Sequence, residues 1–225
     1  MPKPSSGRKK KAVVIPLAKS IKQANELAVQ YGLADKADFA GLSLIVVNEM
    51  IQQLNATRND YPNAFDKLRF VGSHEAYNKD RLKKVNIKKA TLGYSVPYPF
   101  AALVMNDAVF NSKEYKKTLT RLKKNVKNRF HPIGCNTLKS VIDHEIGHLI
   151  DESYGISYTA EKKKNSLFKF FHWNKGWDIH KNLSEYANTN ISEFIAEAWS
   201  EYRNNPKPRE YSKTVVKEMM KIIKE

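Results

Sequence analysis

The sequence predicts an α+β chain, mainly helical, with a small mixed sheet beside the helix that covers residues 137–151. Three features carry that prediction. Apolar residues recur at helical spacing over several long stretches, short β-branched or apolar runs stand between them, and turn-rich segments separate the runs. A hydrophobic content of 41% and an aromatic content of 11% are those of a folded protein. At 225 residues the chain has room for one substantial core, or for a small helical region beside a second domain.

Taken in order, Ser20 to Tyr31 reads as a helix with Ile21, Ala24, Leu27 and Ala28 on one face. Ala37 to Leu54 gives a second, through Leu42, Ile45, Val46, Met50 and Leu54. Lys67 to Gly72 looks like a strand entering a turn, and a helical patch covers Glu75 to Lys84. Ala90 to Tyr94 and Ala101 to Met105 are strand candidates around the turn-rich Ser95-Val96-Pro97-Tyr98-Pro99. The second of these is the candidate for an edge that pairs with an extended peptide; an interior strand is the alternative. Lys113 to Val126 is a basic helix, and His131 to Gly134 is a loop. Phe168, Phe170, Phe171, Trp173 and Trp177 read as core or as a lid between helices. The expected organisation is a disordered basic arm over residues 1–12, an N-terminal helical region over 13–87 and a second domain over 88–225.

Chemistry concentrates in His144-Glu145-Ile146-Gly147-His148. Residues four apart on a helix stack on one face, about 6 Å apart at Cβ. Two imidazoles can therefore share one Zn²⁺ at about 2.0–2.1 Å per bond. Glu145, next to the first histidine, is placed to take a proton from a metal-bound water. Leu138, Val141, Ile142 and Leu149 form one apolar arc, and Glu145 lies inside it, a costly place for a carboxylate without a cation. Gly147 costs about 1 kcal/mol of helix stability relative to alanine, and its bare backbone would let a strand or a substrate pass close. Asp151, one turn beyond His148, is a candidate to hold an imidazole from behind, or else a plain surface aspartate. The arrangement resembles that of a zincin-like metallopeptidase, in which residues 88–225 would form the catalytic domain.

A catalytic zinc needs three protein ligands and one open position. Tyr154 stands where a third histidine would follow in a metzincin, so that arrangement is excluded. Downstream, Ile191, Phe194, Ile195, Ala198, Trp199 and Tyr202 form one face of a helix, and Glu193, Glu197 and Glu201 form a stripe on the other side. Glu193 and Glu197 are both open as ligands. Glu193 is also placed for a capping box behind Asn190, and the stripe could equally be a solvated face.

Tyr186, followed seven residues later by Glu193-Phe194-Ile195-Ala196-Glu197-Ala198, resembles the second half of the anthrax lethal factor-like metallopeptidase family over about residues 130–205. The resemblance implies His144, His148 and Glu193 as zinc ligands and Glu145 as general base. It also implies that Tyr186 donates a hydrogen bond to the developing oxyanion and that Glu197 supports a ligand. The tyrosine-to-glutamate spacing is shared with proline-specific clostridial endopeptidases; the matching motifs are those of catalysis, so proline preference is not implied. Segments around Ser20–Ala24, Ala37–Leu42 and Val47–Glu49 resemble those preceding metallopeptidase domains in phage and mobile-element proteins.

The net charge of +16 would attract nucleic acid or acidic proteins, although no nucleic-acid motif accompanies the lysines. One cysteine, Cys135, precludes an internal disulfide and fits a reducing compartment. The basic start is followed by only Ala12 to Ala18 before Lys19, too short for an export signal, and no run spans a membrane. Host cytoplasm or a virion is the expected location. The leading expectation is a zinc endopeptidase acting on a protein or peptide. Its competitors are a non-enzymatic phage structural protein with a closed zinc site, and a basic nucleic-acid-associated factor.

Overall fold

The computed structural model describes residues 13–224 apart from 67, 82, 83, 89 and 98. The basic arm expected over residues 1–12 lies outside the described residues. Two compact units meet in the chain between Thr118 and Leu119. Among the described residues the architecture is α+β, mainly helical, with a small mixed sheet of four strands.

The first unit runs α1 (Ile21–Gln30), β1 (Lys36–Asp38), α2 (Leu44–Arg58), α3 (Pro62–Phe65), β2 (Phe70–Ser73), α4 (His74–Arg81), β3 (Gly93–Val96), β4 (Ala102–Met105) and α5 (Asp107–Phe110). α6 (Tyr115–Lys127) begins in this unit and ends in the next. Ser20 caps α1 by accepting from the Gln23 amide, and Ala24, Leu27 and Ala28 bury its apolar face as their spacing predicts. The helix expected from Ala37 begins only at Leu44. Its first residues instead form β1, because Asp38 accepts the Ala40 amide in a tight turn and Gly41 adopts φ 85°, both of which interrupt a helix.

The sheet order is β1-β2-β4-β3, with β1, β2 and β4 mutually parallel and β3 antiparallel to β4. Both central strands are buried at every position, as strands covered on both faces must be. Of the two readings open for β4, the interior strand holds and the free edge does not: β2 occupies one side and β3 the other. β3 and β4, which lie past the 87/88 line drawn from sequence, thus pair in one sheet with β1 and β2. Phe70, Tyr77, Ala102 and Val104 pack together here, with Tyr94 and Val96 against them.

The second unit continues with α7 (Leu138–Tyr154), α8 (Ile156–Lys163), α9 (Ser166–Asn174), α10 (Trp177–Asn182), a 3-10 turn (Tyr186–Asn188), α11 (Ile191–Asn204) and α12 (Glu210–Lys224). α7 lies along α11, burying Ile142, Ile146, Phe194, Ile195 and Ala198 in this unit's core. The aromatic cluster expected as core or as a lid between helices divides: Phe171 is buried, whereas Trp173 and Trp177 are about three-quarters exposed, at 78% and 72%. No described helix is long and apolar enough to cross a membrane.

Candidate metal centre

Two capped helices position the candidate ligands. Thr137 and Ser140 form a reciprocal capping box at the start of α7, and Gly155, in the left-handed conformation, ends the helix. His144 and His148 thus sit mid-helix, where their backbone is fully fixed. Asn190 caps α11 by accepting the Glu193 amide at 2.8 Å. The backbone half of the expected capping box is therefore present, but the Glu193 carboxylate turns to the imidazoles instead. Gly147 lets the two helices approach: a Cβ there would stand 3.0 Å from the Ala196 Cα and 3.1 Å from the Trp199 ring. The close neighbour is a helix, neither the strand nor the substrate that the sequence suggested.

The imidazoles and the carboxylate converge on one point. His144 Nε2, His148 Nε2 and Glu193 Oε2 form a triangle with each side 3.2 Å. A tetrahedral ion with bonds of about 2.0–2.1 Å holds its donors about 3.3–3.4 Å apart. The triangle is close in size to one face of such a tetrahedron, and these three residues could hold a metal ion.

The surroundings fix which nitrogens face inward. His144 Nδ1 lies 2.9 Å from Glu197 Oε1, a carboxylate that can only accept, so Nδ1 carries the proton. Ser192 gives its hydroxyl proton to Asp151 Oδ2 at 2.7 Å, so it must accept from His148 Nδ1 at 3.1 Å. In the neutral imidazoles both Nε2 atoms then present lone pairs to each other and to a carboxylate oxygen. Three electron-rich atoms held together in this way repel unless a cation or a proton joins them, and two imidazoles with one carboxylate form a donor set that could take a metal ion.

Each sequence-expected residue has a definite place. Glu193 is at the triangle; Glu197 stands behind His144. Asp151 is 1% exposed and no surface aspartate; it reaches His148 only through Ser192, and it also accepts the Ser157 amide at 2.6 Å. Tyr186 donates its hydroxyl to Glu193 Oε1 at 3.0 Å, so it borders the triangle. Glu145 is buried. The glutamate stripe is covered rather than solvated, since Arg209 grips the fully buried Glu201 through Nε at 2.9 Å and Nη2 at 2.8 Å.

Electrostatics follow from that packing. Burial raises the Glu145 pKa above its ordinary value, against the pull of His144 and His148. Burial also opposes charge on His144, yet the bonds to Glu193 and Glu197 outweigh it and raise its pKa well above 6.5. Glu193 and Glu197 resist burial in the same way, and the neighbouring histidines hold both carboxyls low, Glu197 at about 2.

Three participants carried no sequence signal. His131 Nδ1 lies 3.2 Å from Glu197 Oε1, Ser184 donates to Glu197 Oε2 at 2.7 Å, and Ser192 links His148 to Asp151. His131 lacks ligand spacing because it is not placed as a ligand; only the need of a buried Glu197 for donors could have pointed to it. Comparisons of the chain with protein-family models, with curated proteins and with solved structures find no match.

Proposed function

We propose that this chain is a zinc-dependent endopeptidase of zincin-like type, related in its catalytic half to the lethal factor-like metallopeptidases. The observation that carries the reading is the 3.2 Å triangle of His144, His148 and Glu193, with both imidazoles oriented from behind by oxygen acceptors. Such a donor set, with three protein ligands among the described residues, leaves a fourth position open. A structural zinc would be closed by four, which favours catalysis over a purely structural role.

Zinc held there would polarise a carbonyl and lower the pKa of a bound water to about 7. The rest of the reaction falls to the protein. Glu145, buried and with its pKa raised, takes the proton from the attacking water and delivers it to the departing amine. Tyr186 can exchange its bond to Glu193 for one to the substrate oxyanion, adding a donor where charge develops. Glu197, fixed by His131 and Ser184, keeps His144 in the ligating tautomer.

Metal analysis of the purified chain, with cleavage profiling of a peptide library, tests this. Zinc at about one per chain is expected. Glu145→Gln should keep the metal while cutting turnover by roughly 10²–10⁴-fold. A chain that folds normally yet takes up no zinc would falsify the proposal.

A further inference from the structure

Several surface lysines have an acid beside them on their own helix: Lys79 pairs with Glu75 on α4, Lys213 with Glu210 and Lys221 with Glu218 on α12. α6 departs from that pattern. From residue 108 to residue 142 the sequence holds a single acidic residue, Glu114, which pairs with Lys117. Lys113, Lys116, Lys117, Lys123, Lys124 and Lys127 are all exposed. Asn111 starts the helix by accepting the Lys113 and Glu114 amides at 3.0 Å each, and the Tyr115 amide returns to its carbonyl at 3.1 Å. At about 100° per residue the six lysines then fall in an arc of about 120°, shared only with Thr120, and Arg121 adjoins it.

A rise of about 1.5 Å per residue spreads the row over about 21 Å. The lysines belong to one helix and its first turn, so that backbone alone aligns them. The opposite side is taken by the protein: Leu122 is buried, and the buried Thr118 donates its hydroxyl to the Val109 carbonyl at 2.9 Å. Such a row weakens the helix that bears it. Like charges four residues apart repel, as at Lys113 with Lys117 and Lys123 with Lys127. Lys113, Lys116 and Lys117 also crowd the N-terminal turn, where the helix dipole disfavours cations. An external polyanion relieves both.

The character of the face selects among polyanions. Its arc holds no apolar or aromatic side chain, so it has nothing to insert into a bilayer and nothing to stack on unpaired bases. Protein interfaces are built round aromatic and apolar anchors and are poor in lysine. A duplex backbone asks for neither. One strand places a phosphate about every 3.4 Å along the axis, about six over the length of the row, and lysine meets phosphate as a point charge. We infer that this face of α6 binds the phosphate backbone of a nucleic-acid duplex, independently of base sequence. The inference goes beyond the peptidase reading and does not rest on it.

The test uses the full chain with zinc and follows binding by fluorescence anisotropy and vesicle sedimentation. The probes are two twenty-base-pair DNA duplexes of unrelated sequence, an RNA duplex of the same length, a twenty-residue oligothymidylate, polyglutamate, and phosphatidylcholine vesicles with one-quarter phosphatidylserine. All three duplexes should bind alike and lose about 10²–10³-fold in affinity between about 50 and 200 mM salt, as about four to six phosphate contacts require. Lys123→Gln, Lys124→Gln and Lys127→Gln together should lower the slope of log affinity against log salt by about three. The matching arginine triple should keep the parent's slope, which separates lost charge from lost folding. Removing as many charges from α12, with Lys213→Gln, Lys217→Gln and Lys221→Gln, should change the slope by less than about one. No duplex binding at low salt, or equal losses from the α6 and α12 triples, overturns the inference. Tighter binding of the vesicles, the polyglutamate or the oligothymidylate through the same lysines also overturns it, as does a tenfold preference between the two DNA sequences. None of these results bears on the peptidase reading, which zinc content and cleavage decide.

Discussion

His74 in the first unit and the His144–His148 pair in the second share the outward marks of a site. All three histidines lie on helices, are partly buried and neighbour a tyrosine hydroxyl or a ring. Their second nitrogens separate them. Asn78 Nδ2 donates to His74 Nε2 at 3.2 Å, so His74 Nδ1 carries the proton and gives it to the Tyr94 oxygen at 2.9 Å. Asn78 also clasps Val85 through its amide at 2.9 Å. Every polar atom of His74 is answered by the fold, and nothing further is needed. In the other pair each Nδ1 is answered but the two Nε2 atoms face each other. Burial and aromatic neighbours do not mark a ligand; an unanswered lone pair aimed at another one does.

Removing one histidine from each region tests that distinction most strongly. Tight zinc sites gain about 10–16 kcal/mol from their ligands together, so a single ligand is worth some 3 kcal/mol, more than a hundredfold in affinity. His148→Ala should lose zinc to that extent in a competition titration with a chelator. His74→Ala should leave zinc affinity within about twofold and cost about 1 kcal/mol in denaturant unfolding, the worth of a hydrogen bond. Equal loss of zinc from both variants would erase the contrast.

The residues behind the pair come next. Substitution of groups that orient metal-bound imidazoles costs about 10–100-fold in affinity. Glu197→Gln and Ser192→Ala should each fall in that window, the first through His144 and the second through His148. If either variant binds zinc like the parent chain, Glu197 and Ser192 do not aim the lone pairs.

Acidity sharpens the comparison, because the packing that raises the His144 pKa and lowers that of Glu197 makes stability depend on pH. His144, raised above 6.5, adds stability that is complete below that value and disappears as pH climbs through its folded pKa. Glu197, depressed to about 2 from 4.5, adds stability that is complete above 4.5 and disappears as pH falls toward 2. Chelated protein should therefore melt highest between about pH 4.5 and 6.5. Zinc must displace the His144 proton, so its stabilisation should grow with pH above that range. Melting curves with and without chelator across pH 4–9 would show the two profiles diverging.

How much of this was legible in the chain depends on range. The motif helix and the Glu193 helix were visible because their apolar spacing, Asn190 cap and histidine pair are local. β1 was missed because Lys36–Asp38 carries no alternation; only pairing with β2, 34 residues on, makes it a strand. Edge and interior readings of β4 stayed open for a related reason, since an apolar run reads alike whether one side or both are paired. Glu197 could not be separated from Glu193 by spacing, because four residues bring both to one side of α11. Ser184, Ser192 and His131 answer to groups 13, 41 and 66 residues away, and no local pattern encodes such partners.

The smallest expected effect comes from a residue with no polar atoms in its side chain at all. Gly147→Ala adds one carbon facing the Ala196 Cα at 3.0 Å and the Trp199 ring at 3.1 Å. Alanine gains about 1 kcal/mol in helix propensity over glycine, while overpacking costs about 1–3 kcal/mol. The backbone of α11 cannot step aside as a side-chain tip would, so the cost should win by about 1 kcal/mol. Because Gly147 adjoins His148 and Ala196 follows Glu193 by one turn, spreading the helices there lengthens two sides of the 3.2 Å triangle. Zinc affinity should therefore fall by several-fold, more than a stability loss elsewhere would cause. A Gly72→Ala control supplies that reference. Its Cβ would meet the Asp38 carbonyl oxygen at 2.0 Å, so it should unfold the first unit more severely while leaving the donor triangle untouched.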